Sequence, residues 1–166
     1  YAKDLNNDGH TEVVSAPNGV WNRVTTWSAD DSPLHNAQFG PGDKAPARNL
    51  RGMDVADLDA NGTMEIAVAT SDGLVVVLDH GCNKLWAKEV SSPATALKCV
   101  RPSAAQDAQI IIGCEDGTIA GLDAEANIHQ LAGLEGKPTY LEAFDIDGVT
   151  MIIGTDAGEL TGLRLR

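Results

Sequence analysis

Two stretches of the chain hold residue types that can act together chemically. One is Asp4-Leu-Asn6-Asn-Asp8-Gly9-His10-Thr-Glu12, and the other is Asp57-Leu-Asp59-Ala-Asn61-Gly62-Thr63-Met-Glu65. Both read D-x-[DN]-x-[DN]-G-x-x-E and run directly into an apolar stretch, Val13-Val14 or Ile66-Ala67-Val68. Oxygen-bearing side chains at alternate positions of a tight loop converge on one point, and Gly at the sixth position permits the bend that brings them there. Such a set suits a hard divalent cation, since Ca2+ takes about six to eight oxygens from carboxylates, amide oxygens and carbonyls. The expected ligands in the first loop are the side chains of Asp4, Asn6, Asp8 and Glu12 and the carbonyl of His10. In the second they are Asp57, Asp59, Asn61 and Glu65 and the carbonyl of Thr63. Two Ca2+ sites are therefore expected.

Competing readings of the loops are weaker. An EF-hand puts its last carboxylate at position 12 between two helices. Here the acid is at position 9 and a strand-like run follows at once. A bare Asx-rich turn would also favour Asp, Asn and Gly, but the same five-position pattern occurs twice at equivalent places. Further along, only Gln106-Asp107-Ala-Gln109 and Asp145-Ile-Asp147-Gly148 stand in the corresponding positions, so any site at Asp145 and Asp147 would be weak. His10, His35, His80 and His129 have no mutual spacing of zinc-ligand type. Gly-x-Ser-x-Gly, His-Glu-x-x-His and phosphate-loop motifs are all missing from the sequence, so no catalytic nucleophile is assigned.

The loops sit in a repeat. Glu65-Ile-Ala-Val-Ala-Thr-Ser-Asp-Gly-Leu-Val-Val-Val-Leu-Asp79 recurs as Gln109-Ile-Ile-Ile-Gly-Cys-Glu-Asp-Gly-Thr-Ile-Ala-Gly-Leu-Asp123. It recurs again as Met151-Ile-Ile-Gly-Thr-Asp-Ala-Gly-Glu-Leu-Thr-Gly-Leu163, and more loosely from Glu12 to Trp21. The turn glycines Gly19, Gly73, Gly117 and Gly158 are 54, 44 and 41 residues apart, the first gap holding an insertion around Ser32–Pro46. Short β-branched runs bounded by Asp-Gly or Asn-Gly predict strands joined by tight hairpins. In the second unit these would be Gly52–Leu58, Ile66–Thr70, Leu74–Asp79 and Lys84–Val90. Only Pro93–Val100 and Ala104–Ala108 could hold a turn of helix. A period of about 40–45 residues with four strands per unit predicts an all-β fold, a β-propeller of four-stranded antiparallel blades, in preference to a β-sandwich. About four blades are expected, near 1–48, 49–91, 92–134 and 135–166, as one domain or as a segment or half of a larger ring. The phase of the repeat places most of the first strand of the opening unit, and the outermost strand of the last unit, outside these residues.

Composition narrows the partners. The 166 residues carry a formal net charge of −12, which argues against nucleic acid and anionic membranes. No stretch approaches the ~20 apolar residues of a membrane span. Three cysteines, Cys82, Cys99 and Cys114, leave open one disulfide with a free thiol or three thiols. Trp21, Trp27, His35 and Phe39 cluster in or near the first-unit insertion. They could cover a small core of their own or stack on sugar rings.

The loop-then-strand pattern resembles the FG-GAP/VCBS repeats of integrin α-subunit propellers and of many secreted bacterial proteins. The resemblance implies a seven- or eight-bladed propeller, Ca2+ in hairpin loops, an extracellular location and an adhesive or ligand-binding role. The Phe-Gly and Gly-Ala-Pro signature is not present, although Ser15-Ala16-Pro17-Asn18-Gly19 lies near its place. Separately, Val77-Leu-Asp79-His-Gly81-Cys-Asn-Lys84-Leu-Trp86 is similar to the Asp…Gly…Trp docking motif of quinoprotein propellers, one residue short. Trp86 reads as blade packing.

The function expected is a calcium-stabilised, non-catalytic propeller module, secreted, on the cell surface or periplasmic, presenting a face to a protein or glycan. Pairing of two copies, or continuation in a longer chain, is expected. The alternatives are part of a polysaccharide-lyase-like propeller enzyme, with Arg23, His35 or Arg48 beside an open cation, or of a quinoprotein-like periplasmic propeller.

Overall fold

The computed structural model describes residues 1–18, 22–39, 48–101, 108–145 and 149–165, apart from the side chains of residues 145, 149 and 150. Its logic follows from runs that are apolar at every position. Glu65–Thr70 is buried from end to end. A strand alternates its side chains between two faces, so such a strand is stable only in a sheet covered on both sides. Stacking sheet on sheet meets that demand.

Four antiparallel sheets result, with strands in chain order. The first holds β1 (Ala2–Lys3), β2 (Glu12–Ser15), β3 (Arg23–Trp27) and β4 (Pro33–Gln38). The second holds β5 (Leu50–Ala56), β6 (Glu65–Thr70), β7 (Leu74–Leu78) and β8 (Lys84–Glu89). The third holds β9 (Ala94–Val100), β10 (Gln109–Cys114), β11 (Thr118–Leu122) and β12 (Ile128–Gly133). The last has three strands, β13 (Pro138–Asp145), β14 (Val149–Thr155) and β15 (Leu160–Arg164). Among the described residues there is no helix, and no strand of the first sheet pairs with the last. These are propeller blades, and the expected all-β blade architecture holds.

The core is divided between successive blades. On β6, Ile66 and Val68 pack toward the first blade with Leu5, Val14 and Val24. Ala67 and Ala69 point the other way, toward Ile110, Ile112 and Leu122 of the third blade. In turn Ile111 and Ile119 join Leu141, Met151 and Ile153 of the fourth. A period of two therefore serves two interfaces at once, which is why the repeat shows no polar alternation. On the first strands of blades two to four, Lys98 lies 3.1 Å from Glu142 and 3.8 Å from Asp54, tying three blades together through polar groups.

One turn recurs three times. The amides of Gly73, Gly117 and Gly158 each bond the carbonyl three residues back, at 3.1 Å in every case. All three glycines have φ between +82° and +84°, a conformation costly for residues with a Cβ. At Gly117 an added Cβ would lie 2.1 Å from the Leu134 carbonyl oxygen.

Two expectations are corrected. Pro93–Val100 holds no helical turn, because Ala94–Val100 is strand β9, paired with β10 through a bulge at Gly113/Cys114. The expected insertion around Ser32–Pro46 is in part a blade strand, β4, which pairs with β3. Gly19, Trp21, residues 40–46 of that insertion and 104–107 lie outside the described residues.

Candidate metal centre

Each acidic loop joins the first strand of a blade to its second and is folded by its own acceptors. In the second loop, Asp57 Oδ1 accepts from the Asn61 amide at 3.0 Å and Oδ2 from the Gly62 amide at 3.1 Å. Asp59 Oδ1 accepts from the same Asn61 amide at 3.2 Å, and Asn61 Oδ1 accepts from the Thr63 amide at 2.7 Å. The first loop repeats the scheme. Asp4 accepts from the amides of Asp8 and Gly9 at 3.1 and 2.8 Å, Asn6 from Asp8 at 3.1 Å, and Asp8 from His10 at 2.8 Å. The sharp bend is made by Asn7 and Gly9 in one loop and Ala60 and Gly62 in the other, all at φ between 59° and 91°. The same bonds at the same offsets, from different residues, show that the spacing sets the conformation.

Position 9 closes the loop. Glu12 Oε2 accepts from the Leu5 amide at 2.9 Å and Glu65 Oε2 from the Leu58 amide at 2.7 Å, both buried. Each leucine also serves the neighbouring blade. The Leu5 carbonyl accepts from the Met64 amide at 2.8 Å and the Leu58 carbonyl from the Ala108 amide at 3.2 Å. Both side chains are buried in the blade-to-blade cores. The two loops are neighbours, since a Cβ built on Gly62 would come within 3.5 Å of Asn7 Nδ2.

In the second loop, carboxylate oxygens of Asp57, Asp59 and Glu65 all lie within 4.8 Å of one another. Burial pushes the Glu65 carboxyl above its ordinary value of 4.5; the Leu58 amide opposes this, and the negative charges of Asp59, Asp57 and Asp79 add to it. Asp8, on the surface, is held below the usual carboxylate range by the His10 amide and the Asn6 side chain. The donor set is all oxygen, acid-rich and bent round a glycine, and it suits Ca2+ or another hard cation rather than a soft metal. A first-loop cluster of three acids this tight is not found among the described residues. Its middle ligand position is the amide Asn6, so its acids are spaced one, five and nine.

Sequence reasoning missed two features. One is the double duty of Leu5 and Leu58, whose only signal was the shared Leu at position 2. The other is Arg101, whose guanidinium donates to the Asp57 carbonyl and lies 3.9 Å from Asp57 Oδ2. Nothing in a linear spacing of 44 residues announces that contact.

The remaining candidates fall elsewhere. Arg48 pairs with Asp72 at 2.7 Å, away from both loops. Trp27 donates to Ser15 Oγ at 2.9 Å, Phe39 packs on the core between blades one and two, and His35 is exposed on β4. Trp86 packs against the core between blades two and three, as expected. All three cysteines are free thiols. Burial raises each, Cys114 to about 11, so none is a ready thiolate. Asp147 and the Asp145 side chain lie outside the described residues, as do Gln106 and Asp107.

Comparison with known proteins follows the same lines. The family model described as FG-GAP-like repeat matches residues 4–68, a span that contains both acidic loops. No curated protein sequence matches. Among solved structures, BBS1N in complex with ARL6DN superposes with a TM-score of 0.72 at 14% identity, over 100% of this chain and 53% of that one. The computationally designed Ika4 protein gives 0.66 at 16% identity, over 96% and 87%. BamB from Moraxella catarrhalis gives 0.62 at 19% identity, over 99% and 44%. The chain thus spans about half the length of BBS1N and of BamB. Residues 4–68 match an FG-GAP-like repeat, and the described residues of the chain are built into β-propeller blades.

Proposed function

We propose that the protein is a calcium-stabilised propeller module that binds a protein or glycan partner outside the cytoplasm and performs no chemistry of its own. One observation carries the calcium reading: two loops of different sequence adopt one hydrogen-bond scheme, and in the second the carboxylate oxygens of Asp57, Asp59 and Glu65 come within 4.8 Å of one another. The ligands would be Asp4, Asn6, Asp8, the His10 carbonyl and Glu12, and Asp57, Asp59, Asn61, the Thr63 carbonyl and Glu65. Bound Ca2+ neutralises the crowded carboxylates and fixes each hairpin, so its binding energy adds to folding. Sites of this exposed kind bind in the range of ~0.1–1 mM, which calls for the calcium supply of an extracellular or periplasmic setting. The binding role is supported by the fold of BBS1N, which was solved with a protein partner, ARL6DN.

Calorimetric titration with CaCl2 tests the metal reading. The expected stoichiometry is two per chain, falling to one in Asp4→Ala and in Asp57→Ala. No heat of binding at millimolar calcium overturns it.

A further inference from the structure

The two acidic loops carry the same ligand charge but stand beside different neighbours. Each offers three carboxylates and one amide among its side-chain ligands, Asp4, Asp8, Glu12 and Asn6 in the first and Asp57, Asp59, Glu65 and Asn61 in the second. Register identifies what stands beside them. Lys3 pairs with Glu12, Ala56 with Glu65 and Val100 with Gln109. The residues that follow Lys3, Ala56 and Val100 are Asp4, Asp57 and Arg101, and these three positions are therefore equivalent. The third blade has Arg101 where the first two have the leading aspartate, and Gln109 where they have the closing glutamate.

Successive blades dock in the same way. Met64 and Ala108, each just before a closing position, donate their amides to the leucine carbonyl of the preceding loop. At the second loop this docking brings Arg101 onto the leading aspartate. Its guanidinium donates to the Asp57 carbonyl and has Nη2 3.9 Å from Asp57 Oδ2. The matching position for the first loop is held by Asp57, an anion. One loop therefore has a fixed cation contributed by the next blade, and the other has a carboxylate at the equivalent place. The aspartate that opens a loop in the first two blades has become, in the third, a charge of opposite sign directed at its neighbour.

We propose that Arg101 is a resident counter-charge that sets the calcium threshold of the second loop, balancing Asp57 when no ion is bound and opposing a divalent ion that enters. The inference rests on the calcium reading of that loop. An entering ion draws on the same carboxylate that faces the guanidinium, so the attraction between Arg101 and Asp57 weakens as the ion binds and a repulsion between two cations replaces it. The Arg101 side chain is 42% exposed and that of Asp57 21%. The opposing charge therefore acts largely through water and is screened by salt, which limits its effect to about three- to tenfold in Kd. Glutamine at this position keeps much of the stem and an amide donor but removes the charge, whereas lysine keeps the charge and loses the fork.

Calorimetric titration of the full chain with CaCl2, in an Asp4→Ala background that leaves only the second site, tests it. Adding Arg101→Gln should tighten Kd by about three- to tenfold, with circular dichroism unchanged, and the gain should shrink in about 0.5 M NaCl. Arg101→Lys should keep the Kd of the parent. In an Asp57→Ala background, which leaves only the first site, Arg101→Gln should leave Kd unaltered. A second-site Kd that stays the same or weakens in Arg101→Gln overturns the proposal. So does equal tightening in Arg101→Lys, or at the first site, because the charge beside Asp57 would then not be the cause. Each of these results leaves the calcium reading standing, whereas heat of binding in none of the chains removes both.

Discussion

Removing calcium should lower the melting temperature by an amount that can be worked out from the second loop. Carboxylate oxygens of Asp57, Asp59 and Glu65 lie within 4.8 Å of one another. For the less exposed pair, Asp57 and Glu65, repulsion at that distance is about 3 kcal/mol at an effective dielectric of ~20. The metal-free fold carries this cost, and a bound ion would remove it. With free Ca2+ at about a hundred times Kd, one site adds ~2.7 kcal/mol of stability. For a chain of this size each kcal/mol moves Tm by about 2–4 °C, so one filled site is worth about 5–10 °C. The assay is a thermal melt followed by circular dichroism in 10 mM CaCl2 and again in EDTA, with MgCl2 as the control for ionic strength. Asp57→Ala should lose at least half of the calcium-dependent rise, and its melt in EDTA should also shift, because the substitution removes both the repulsion and the two amide hydrogen bonds that Asp57 accepts. A rise of under 1 °C in CaCl2, or an equal rise in MgCl2, would refute the electrostatic account of the loops.

Three further outcomes are expected. In Gly117→Ala the new methyl meets the Leu134 carbonyl, whereas in Gly158→Ala, at nearly the same φ, nothing lies within 4 Å. The second should cost only the strain of about 1–2 kcal/mol and the first clearly more, read as urea midpoints; equal costs would show that the turn simply moves aside. Glu65 has a raised pKa, so in EDTA its contribution favours folding below pH 4.5 and is lost as pH rises through the raised value. The Tm advantage of Glu65→Gln over wild type in EDTA should therefore grow from pH 4.5 to 7 and reverse in CaCl2; a pH-independent difference would contradict the burial of the charge. Calcium should also slow hydrogen exchange at the amides of Met64 and Ala108, which bond the loop leucines. Slowing confined to residues 6–11 and 59–63 would separate the loops from blade docking.

Much of the architecture was legible because the repeat is written in the turns. Gly73, Gly117 and Gly158 mark the same hairpin in three blades, and strands on either side follow within two residues of expectation. The expected strand Gly52–Leu58 ends instead at Ala56, since the Leu58 amide turns to Glu65 rather than to a partner strand. β9 was hidden by its own burial. Ala94, Leu97 and Val100 are buried at every third position, a helix-like spacing in sequence. It arises because the first two pack toward blade two and the last toward blade four across a bulge. The oxygens of the loops could be read from local spacing. Arg101 could not, because its approach to Asp57 depends on how two blades stack.

The same stacking gives the loops their reach. A cation held only by surface side chains would order a hairpin and nothing more. Here the carboxylate at position 9 grips the amide of the leucine at position 2, and that leucine's carbonyl and side chain belong to the next blade. Repulsion of Glu65 by Asp57 and Asp59 would work against the hydrogen bond to Leu58, and through it against the bond from Ala108. In the first loop the path runs from Glu12 through Leu5 to Met64, which immediately precedes Glu65 of the second loop. Two ions so placed would act in series along the blades. An ion in the first loop would fix the residue beside a ligand of the second, so binding at the two loops should be positively coupled, and filling both should stabilise the stack by more than the sum of filling each alone.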